Sequence, residues 1–405
     1  MKILLSNKYY YQRGGGEIYT LGLEKLLKEN GHQVAVFTMQ HPLNNASAYS
    51  DYFPEEADLN KSGFKNLVKV LIRPFGSFSV RRKFTELLKT FKPDIVHLNN
   101  IHSQLSPIIA GIARRHRIPV VWTLHDHKLL CPRYDCTRNE KPCELCFSYK
   151  FNVIRYKCMK NSFSKSLVAY CEAIVWNKRI LSRYTRLFLC PSSFLMKNML
   201  KGGFKADKLK TLQNFILEEK LTTFLNMEKN SHYCYIGRLS VEKGIETLLR
   251  AAMDLPQYEL RVIGTGPLEK DLKSRYNARH IIFEGFKNWD ELKDILERSK
   301  FMVMPSECYE NNPLSMIESL CLGTPVLGAR IGGIPELIND GVNGYSFTSG
   351  DVNNLKESIT LMFTKSGSFN YADIAKEARA KYDSRSYYRN LIEIYNNVLN
   401  ETDVK

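Results

Sequence analysis

The sequence predicts an α/β fold with two doubly wound, Rossmann-like parallel sheets, each in its own domain. Three observations predict it. Short apolar segments alternate with segments of helical periodicity in both halves of the chain. Apolar strands separated by helices indicate a parallel sheet that is covered on both faces. The 405 residues suffice for two ordinary domains, and 44% hydrophobic residues exclude a disordered chain.

The first half contains the elements of one such sheet. A strand at Lys2–Ser6 is followed by a glycine turn and by a helix whose apolar residues keep helical spacing until Gly31. Further along, the pattern predicts strands at Gln33–Met39, Asp94–Asn99 and Pro119–His125 and a helix at Leu105–His116.

The second half repeats the alternation. The predicted strands are Tyr233–Gly237, Glu259–Gly264, Ile281–Gly285, Phe301–Pro305 and Pro325–Ala329. The predicted helices are Val241–Met253, Trp289–Arg298 and Leu314–Leu322. Two doubly wound units in tandem follow from this repetition.

The boundary between the domains is predicted from a loss of pattern. Between Leu217 and Ser231 the apolar periodicity disappears, and the charge balance changes sign nearby. We therefore expect a first domain at residues 1–222 and a second domain at residues 230–385. Apolar residues at helical spacing in Ser386–Leu399 predict a C-terminal helix, at about residues 386–405, that packs back on the first domain.

The charge is uneven along the chain. The net charge is +16, and residues 1–222 carry 36 Lys and Arg against 17 Asp and Glu. Such a surplus attracts anionic partners such as phospholipid headgroups, nucleic acid or phosphorylated carriers. Lys61–Lys92 and Lys150–Arg186 each hold nine basic residues and one acid. They predict a surface for an anionic membrane, or else a solvated helix face over a packed core.

No segment is predicted to span a membrane, because the longest uncharged run, Ile95–Ala113, is interrupted by polar side chains and a proline. The first residues lack the apolar core of a secretory signal. We expect a cytoplasmic protein that associates peripherally with the inner face of the membrane. In that reducing compartment, the ten cysteines are expected to be thiols or metal ligands.

Two glutamates in the segment Pro305–Ile338 are candidate site residues. Glu310 follows a strand, and Glu318 lies eight residues later in a helix that Pro313 opens. Open parallel sheets bind ligands beyond the carboxyl ends of their strands, and a helix N-terminus offers unpaired amides to an anion. The two carboxylates can accept hydrogen bonds from sugar and ribose hydroxyls. An amphipathic helix with one capping acid and one solvated glutamate is the alternative.

Another loop after a strand, YIGRLSVEKG, carries two cations, Arg238 and Lys243. Together with a helix N-terminus, two cations can neutralise the charge that develops on the diphosphate leaving group of a nucleotide sugar. The chain has no Asp-x-Asp sequence that could hold a divalent ion between phosphates, so we expect metal-independent catalysis. An exposed arginine and lysine in an ordinary turn are the alternative.

Glycine turns follow two other strands. Gly14–Gly16 lets the backbone approach a ligand ahead of a helix, and VIGTGPLE places Gly264 and Gly266 in a similar turn. The first turn lacks Gly-x-Gly-x-x-Gly spacing, and the second strand ends without a ribose-binding acid, which disfavours a hydride-transfer enzyme.

His125 ends a predicted strand in WTLHDHKLLCP, where it can bond a sugar hydroxyl; a structural histidine is the alternative.

The segments GGGE, LHDH, GRLSVEKG, VIGTGPLE and Glu-x7-Glu followed by GTPVLGARIGGIPELI resemble the retaining nucleotide-sugar glycosyltransferases of family 4. The resemblance extends from the first strand to about Phe347. It implies the GT-B fold, in which two doubly wound Rossmann-like domains face each other across a cleft. It implies that Arg238 and Lys243 hold the diphosphate. Glu318 is then expected at the ribose hydroxyls and Glu310 at the transferred sugar.

The resemblance also assigns further residues to the donor and the reacting sugar. His125 is expected near the sugar, the Gly14–Gly16 loop on the diphosphate and acceptor, and the loop Gly285–Asn288 near the base. The donor-binding residues that it implies are Gly15, Gly16, Gly237, Gly264, Gly266, Phe286, Asn311, Asn312, Leu314 and Glu318. Many relatives have a glycine and an aromatic residue after the first glutamate, whereas this chain has Asn311, Asn312 and Pro313. Because proline lacks an amide donor, the contacts of this turn with the donor sugar are expected to differ, and the identity of the sugar cannot be inferred from the relatives.

Members of this family retain the anomeric configuration, and for most of them no protein nucleophile is evident. By resemblance, the departing phosphate oxygen helps to deprotonate the acceptor hydroxyl on one face of the sugar, while Arg238, Lys243 and helix amides stabilise the leaving diphosphate. Glu310 as a covalent nucleophile is the less favoured variant. Catalysis is expected to need no cofactor beyond the nucleotide-sugar substrate.

Five of the ten cysteines lie between Cys131 and Cys158. Cys143 and Cys146 have the spacing of a structural zinc site, which one or two of the others can complete; reduced thiols in an ordered loop are the alternative. Similar cysteines in a subset of the relatives that the chain resembles favour Cys131, Cys143, Cys146 and Cys158 as ligands. Four thiolates leave no open position, so this zinc is not expected to be catalytic.

The predicted function is a hexosyltransferase-type retaining glycosyltransferase that moves a sugar from a nucleotide-sugar donor to a hydroxyl of a glycan or lipid-linked acceptor, in surface polysaccharide synthesis. A nucleotide-sugar 2-epimerase on the same scaffold is the alternative, although no acid/base set for C2 and C3 of the sugar is recognisable. A basic nucleic-acid-binding protein is disfavoured, because no helix-turn-helix, zinc-finger array or aromatic RNA-binding platform is recognisable.

Overall fold

The computed structural model describes residues 1–56, 72–221 and 229–403. The chain divides into two compact units. The first comprises Met1–Cys136, Cys143–Gln213 and the C-terminal residues from Tyr387, and the second comprises Thr137–Pro142 and Asn214–Ser386. Residues 222–228 of the predicted linker, and the part of Lys61–Lys92 that precedes residue 72, lie outside the described residues.

Strands and helices alternate in both units except at residues 137–184, where two short strands precede four helices, and at residues 352–403, where three helices follow one another. The strands of the described residues are β1 (Lys2–Ser6), β2 (Gln33–Phe37), β3 (Ile95–Leu98), β4 (Val120–Thr123), β5 (Thr137–Arg138), β6 (Lys141–Pro142), β7 (Leu187–Cys190), β8 (Leu209–Thr211), β9 (His232–Ile236), β10 (Glu259–Ile263), β11 (Ile281–Gly285), β12 (Met302–Met304), β13 (Val326–Ala329) and β14 (Gly344–Phe347). The helices are α1 (Gly15–Glu29), α2 (Phe78–Phe91), α3 (Ile108–Arg115), α4 (Leu145–Ser148), α5 (Asn152–Arg155), α6 (Phe163–Val175), α7 (Lys178–Tyr184), α8 (Ser193–Lys201), α9 (Ile245–Met253), α10 (Glu269–Arg275), α11 (Trp289–Arg298), α12 (Leu314–Cys321), α13 (Val352–Thr364), α14 (Tyr371–Tyr382) and α15 (Ser384–Asp403).

The sheet of the first unit is parallel, with the described strands in the order β2-β1-β3-β4-β7-β8. Every residue of β3 and β4 is buried, because helices cover both faces of a sheet of this kind. Trp122 and Phe188 are among the largest fully buried side chains of this core. The direction of strand addition reverses between β1 and β3, so the loops after these two strands border a crevice.

The sheet of the second unit is also parallel, in the order β11-β10-β9-β12-β13-β14. This is the order 3-2-1-4-5-6 of nucleotide-binding Rossmann sheets, and its reversal lies between β9 and β12. Tyr233, Tyr235 and Phe301 are buried in a continuous apolar core. The prediction of two doubly wound α/β domains is confirmed.

The C-terminal helix α15 contacts the first unit through buried tyrosines. The Tyr387 hydroxyl is hydrogen-bonded to that of Tyr19 on α1, and the Tyr395 hydroxyl lies 2.5 Å from Nδ1 of His97 on β3. Burial lowers the pKa of His97 to about 3, so this imidazole is neutral. The helix is thus tied to strand and helix residues of the first unit by polar as well as apolar contacts.

Across residues 1–56, 72–221 and 229–403, no helix has both the length and the apolar character needed to cross a lipid bilayer.

Candidate functional site

Two loops of the second unit meet where the order of its strands reverses. One follows β9 and runs from Gly237 to Gly244; the other follows β12 and runs from Pro305 to Pro313. The amide of Glu307 donates to the carbonyl of Glu242 at 3.0 Å and joins the two loops. Ligands of open parallel sheets bind beyond the carboxyl ends of the strands at such a point, so these loops form the candidate site.

Lys243 and Glu310, one from each loop, form an ion pair. Nζ of Lys243 lies 2.5 Å from Oε1 of Glu310, and the two side chains are 30% and 16% exposed. The Ser306 hydroxyl donates to the same oxygen at 2.9 Å. Burial raises the pKa of Glu310, but the charge of Lys243 and both hydrogen bonds outweigh it and hold that pKa below its usual value. Burial lowers the pKa of Lys243, and the charge of Glu310 more than reverses this, so both groups are ionised at neutral pH.

The backbone of Glu310 is held by a glycine pair from the loop after β13. The amide of Gly333 donates to the Glu310 carbonyl at 2.7 Å. Gly332 has a φ of +62°, and an added Cβ there would lie 2.4 Å from the same carbonyl oxygen. Only glycine permits this close approach, so the segment GARIGGIPELI positions the first glutamate of the Glu-x7-Glu motif.

Glu318, the second glutamate of the motif, is engaged by Lys220. Nζ of Lys220 lies 2.5 Å from Oε1 of Glu318 and 4.3 Å from the centroid of the Trp289 ring. Burial raises the pKa of Glu318, and the charge of Lys220 opposes this shift. A buried carboxylate paired with a cation can accept further hydrogen bonds from hydroxyl groups.

The two asparagines after Glu310 are buried. Oδ1 of Asn312 accepts from the amide of Asn214 at 2.8 Å, and its carbonyl accepts from Nδ2 of Asn214 at 2.7 Å. Nδ2 of Asn312 is buried without a hydrogen-bond partner among the described residues. Pro313 then precedes α12, which begins at Leu314, as the proline position predicts. The two bonds to Asn214 thus hold the turn that precedes this helix.

The glycines predicted to bind the donor have a packing role in the second unit. An added Cβ at Gly264 would lie 2.0 Å from the carbonyl oxygen of Gly237, and one at Gly266 would lie 2.3 Å from that of Leu239. The amide of Leu239 donates to the carbonyl of Thr265 at 3.0 Å. These glycines therefore allow the loops after β9 and β10 to pack against each other.

Two predicted residues of the second unit are exposed. Arg238 is exposed in the loop after β9, and Phe286, in the loop after β11, is 76% exposed. Neither side chain has a hydrogen bond, ion pair or ring contact with the described residues. Both remain accessible to a ligand at the carboxyl edge of the sheet.

The remaining predicted residues lie in the first unit, at the carboxyl edge of its own sheet. Gly15 is exposed at the start of α1, and an added Cβ at Gly16 would lie 2.6 Å from Nδ2 of Asn100 and 3.5 Å from the ring of His125. Nε2 of His125 lies 2.9 Å from Oδ1 of Asn99. Burial lowers the pKa of His125 to about 3, so its imidazole is neutral and can exchange hydrogen bonds with hydroxyl groups.

The cysteine segment also belongs to the first unit. The Cys131 thiol is hydrogen-bonded to the thiols of Cys136 and Cys146, and these bonds lower the pKa of Cys131. Within the described ranges, no group of three or more histidine, cysteine, aspartate or glutamate side chains is arranged to hold a metal ion. A zinc site at Cys131, Cys143, Cys146 and Cys158 stays a prediction.

The structure brings Lys243 together with Glu310, and it adds three residues that sequence reasoning missed. Ser306 bonds Glu310, Lys220 bonds Glu318, and Asn214 bonds Asn312. Ser306 stands four residues before the first glutamate and could have been noticed as a potential donor. Lys220 and Asn214 carry no such signal, because each is separated by 98 residues from its partner.

Two family models match consecutive parts of the chain. Residues 13–220 match the family described as Glycosyltransferase Family 4, and residues 218–381 match the family described as Glycosyl transferases group 1.

Among known relatives, sulfoquinovosyl transferase SQD2 of Arabidopsis thaliana is 28% identical over 328 residues, which cover 76% of this chain and 58% of that protein. The amylovoran biosynthesis glycosyltransferase AmsK of Erwinia amylovora is 28% identical over 259 residues, which cover 57% of this chain and 63% of that protein. Each match thus spans less than two thirds of the relative's length.

Solved structures share the fold. Sucrose-phosphate synthase of Thermosynechococcus elongatus has a TM-score of 0.72 at 17% identity, covering 99% of this chain and 100% of that chain. HepE of Anabaena, in complex with UDP-glucose, has a TM-score of 0.69 at 18% identity, covering 98% and 100%. At these identities the likeness concerns the fold alone, which is the GT-B fold that the resemblance implies.

Proposed function

The chain belongs to glycosyltransferase family 4, and we propose that it transfers a sugar from a nucleotide-sugar donor to a hydroxyl of a glycan or lipid-linked acceptor, with retention of anomeric configuration. The observation that carries the proposal is the ion pair of Lys243 and Glu310 at the reversal point of the second sheet. It joins a cation suited to phosphate and a carboxylate suited to a sugar hydroxyl within two adjacent loops.

Donor binding would rearrange this ion pair. The diphosphate competes with Glu310 for the ammonium of Lys243, while the exposed Arg238 adds a second cation. The amides at the start of α12 supply further donors to the phosphates. Glu310, released from Lys243, accepts a hydrogen bond from the sugar, and Glu318 accepts bonds from the ribose. Because HepE forms a complex with UDP-glucose, that compound is the first donor to try.

The transfer step uses charge stabilisation without a metal ion in this proposal. Lys243, Arg238 and the helix amides stabilise the leaving diphosphate, whose departing oxygen takes the proton of the acceptor hydroxyl on the same face. The lowered pKa of Glu310 keeps its carboxylate ionised, which suits an acceptor of hydrogen bonds and disfavours a general acid. The role of AmsK in amylovoran biosynthesis supports polysaccharide synthesis as the setting.

We further propose that the first unit rests on an anionic membrane. Around α6, large apolar side chains are exposed among basic residues: Tyr149, Phe151, Phe163, Leu167, Ile174 and Val175. Exposed apolar side chains surrounded by lysine and arginine fit the interface of an anionic bilayer, where a lipid-linked acceptor is held.

Vesicle sedimentation tests the membrane surface with two matched leucines. Leu167 on α6 and Leu361 on α13 of the second unit are 40% and 38% exposed. Leu167→Ser should weaken binding to phosphatidylglycerol vesicles, whereas Leu361→Ser should not. Binding that is equal for phosphatidylcholine vesicles, or equal losses in both variants, would contradict this surface.

A donor screen tests the transferase site. Release of nucleoside diphosphate from UDP-, GDP- and ADP-sugars is measured with the wild type, Lys243→Ala and Glu310→Ala. Loss of the Lys243 ammonium, a preorganised hydrogen-bond donor to the diphosphate, should lower turnover by roughly 100-fold. Loss of the Glu310 carboxylate, which accepts from the sugar, should lower it by about 10–100-fold. Lys293→Ala is the control, because Lys293 is partly buried and paired with Glu297 on α11 outside the site. Wild-type turnover in both site variants would refute the assignment.

A further inference from the structure

A small cavity lies near the carboxyl edge of the first sheet. Its volume is about 20 Å³, and it is lined by residues that follow β3 and β4 and by the C-terminal end of α6. Its walls include His102, Lys128, Leu129, Glu172 and Trp176. A space of this size admits one water-sized group, such as a single hydroxyl.

Glu172 lines this cavity with an incomplete set of hydrogen bonds. The residue is 6% exposed, and Oε2 lies 2.9 Å from Nζ of Lys128. Oε1 is buried and has no hydrogen-bond partner among the described residues. A buried carboxylate oxygen without a hydrogen-bond donor is unfavourable, so a ligand that donates a hydrogen bond to this oxygen would be stabilised. Lys128 also donates to the carbonyl of Pro132 at 2.7 Å, so its charge is already engaged and does not await an anion.

The other walls favour a neutral ligand with an apolar face. Nε1 of Trp176 donates to the carbonyl of Pro74 at 2.7 Å, which fixes the indole ring beside the cavity. His102 stacks on Trp122, with ring centroids 5.4 Å apart, and burial lowers its pKa so that it is neutral. An aromatic wall next to a single hydrogen-bond acceptor is suited to the C–H face and one hydroxyl of a sugar ring.

We propose that this cavity receives a hydroxyl group of the acceptor sugar, which donates to Oε1 of Glu172 while the ring lies on Trp176. The inference rests on the proposed transferase function and deepens it, because it makes the acceptor a sugar. On the same helix α6, Leu167 and Ile174 are exposed in the proposed membrane surface. A sugar carried by a membrane lipid would therefore lie close to the cavity.

The direct test replaces Glu172 with glutamine. In Glu172→Gln the amide oxygen takes the position beside Lys128, since an NH2 group cannot bond an ammonium, and the NH2 group is left facing the cavity. The hydrogen-bond acceptor that faces the cavity is thereby replaced by a hydrogen-bond donor. Glu24→Gln is the matched control, because Glu24 is equally buried and pairs with Lys28 at 2.6 Å away from the cavity. Trp176→Leu removes the aromatic wall independently of the carboxylate.

Binding is measured first without donor, by saturation-transfer NMR with octyl glucoside, galactoside, mannoside and N-acetylglucosaminide. The wild type should bind at least one of them. Glu172→Gln should weaken that binding at least tenfold and raise the acceptor KM likewise, with donor KM and donor hydrolysis by water within twofold of wild type. Trp176→Leu should weaken binding in the same assay, while thermal unfolding checks that each variant is folded.

The outcomes separate this inference from the transferase proposal. A wild type that binds none of the four hexosides overturns the inference, since the cavity then holds only a water molecule. Equal effects of Glu172→Gln and Glu24→Gln overturn it as well. Hexoside binding that depends on Glu172, in an enzyme that releases no nucleoside diphosphate from any donor, supports the sugar site and refutes the transferase.

Discussion

Replacing Glu310 with glutamine should affect nucleotide binding and sugar transfer in opposite directions. An exposed ion pair contributes about 0.2–1 kcal/mol, and disruption of a buried one costs about 3–5 kcal/mol. With 30% and 16% exposure, the pair of Lys243 and Glu310 lies between these limits, at about 2 kcal/mol. The hydrogen bond from Lys243 to a neutral glutamine amide is roughly half as strong as the bond to the carboxylate. A phosphate that displaces residue 310 from Lys243 therefore has about 1 kcal/mol less interaction energy to overcome. UDP should bind about fivefold more tightly to Glu310→Gln.

Transfer should instead become slower, because the carboxylate no longer accepts a charge-assisted bond from the sugar. The expected loss in kcat/KM is about 10–100-fold. Isothermal titration calorimetry with UDP and turnover of UDP-glucose measure the two effects. Glu297→Gln is the control, since Glu297 is buried and pairs with Lys293 elsewhere in the second unit. UDP affinity that falls or stays unchanged in Glu310→Gln would refute the competition between phosphate and carboxylate.

Three further expectations concern stability and metal content. Gly264→Ala should destabilise the second unit by about 2–5 kcal/mol in urea unfolding, because φ is +128° and the new Cβ would lie 2.0 Å from a carbonyl oxygen. Gly15→Ala, with open space around the new Cβ, should change stability by less than about 1 kcal/mol, and similar losses in both variants would contradict the packing role. The interactions that lower the pKa of Glu310 stabilise the fold at pH values above 4.5, the usual pKa of a glutamate. This stabilisation is lost as the pH falls below 4.5 and the carboxylate becomes protonated. The stability gap between wild type and Glu310→Gln should thus narrow as the pH falls below about 4.5, and a widening gap would speak against the ion pair. If the cysteine segment holds zinc, elemental analysis should find about one zinc per chain, and chelation should lower the unfolding temperature; metal-free protein with an unchanged unfolding temperature would disprove the site.

Local patterns in the sequence were enough to identify two partners of the candidate site and most of the described sheet strands, four of six in the first sheet and five of six in the second. The strands β7, β8 and β14 were not predicted. β1, β3 and β9 could be recognised because a strand buried on both faces needs consecutive apolar residues. Lys243 and Glu310 were recognised because each follows such a strand, and the carboxyl ends of parallel strands share one edge of the sheet. These inferences depend on short stretches of chain whose side chains experience the same environment in any α/β sheet.

The partners of those residues depended on packing between distant segments. The order of strands places β12 beside β9, which brings Lys243 to Glu310 across 67 residues. Lys220 reaches Glu318 across 98 residues. Glu172 and Lys128 likewise meet only after α6 has packed against the loop that follows β4. Loop residues have no periodicity, so their neighbours are set by the burial of apolar surface elsewhere in the unit and cannot be inferred from their own sequence.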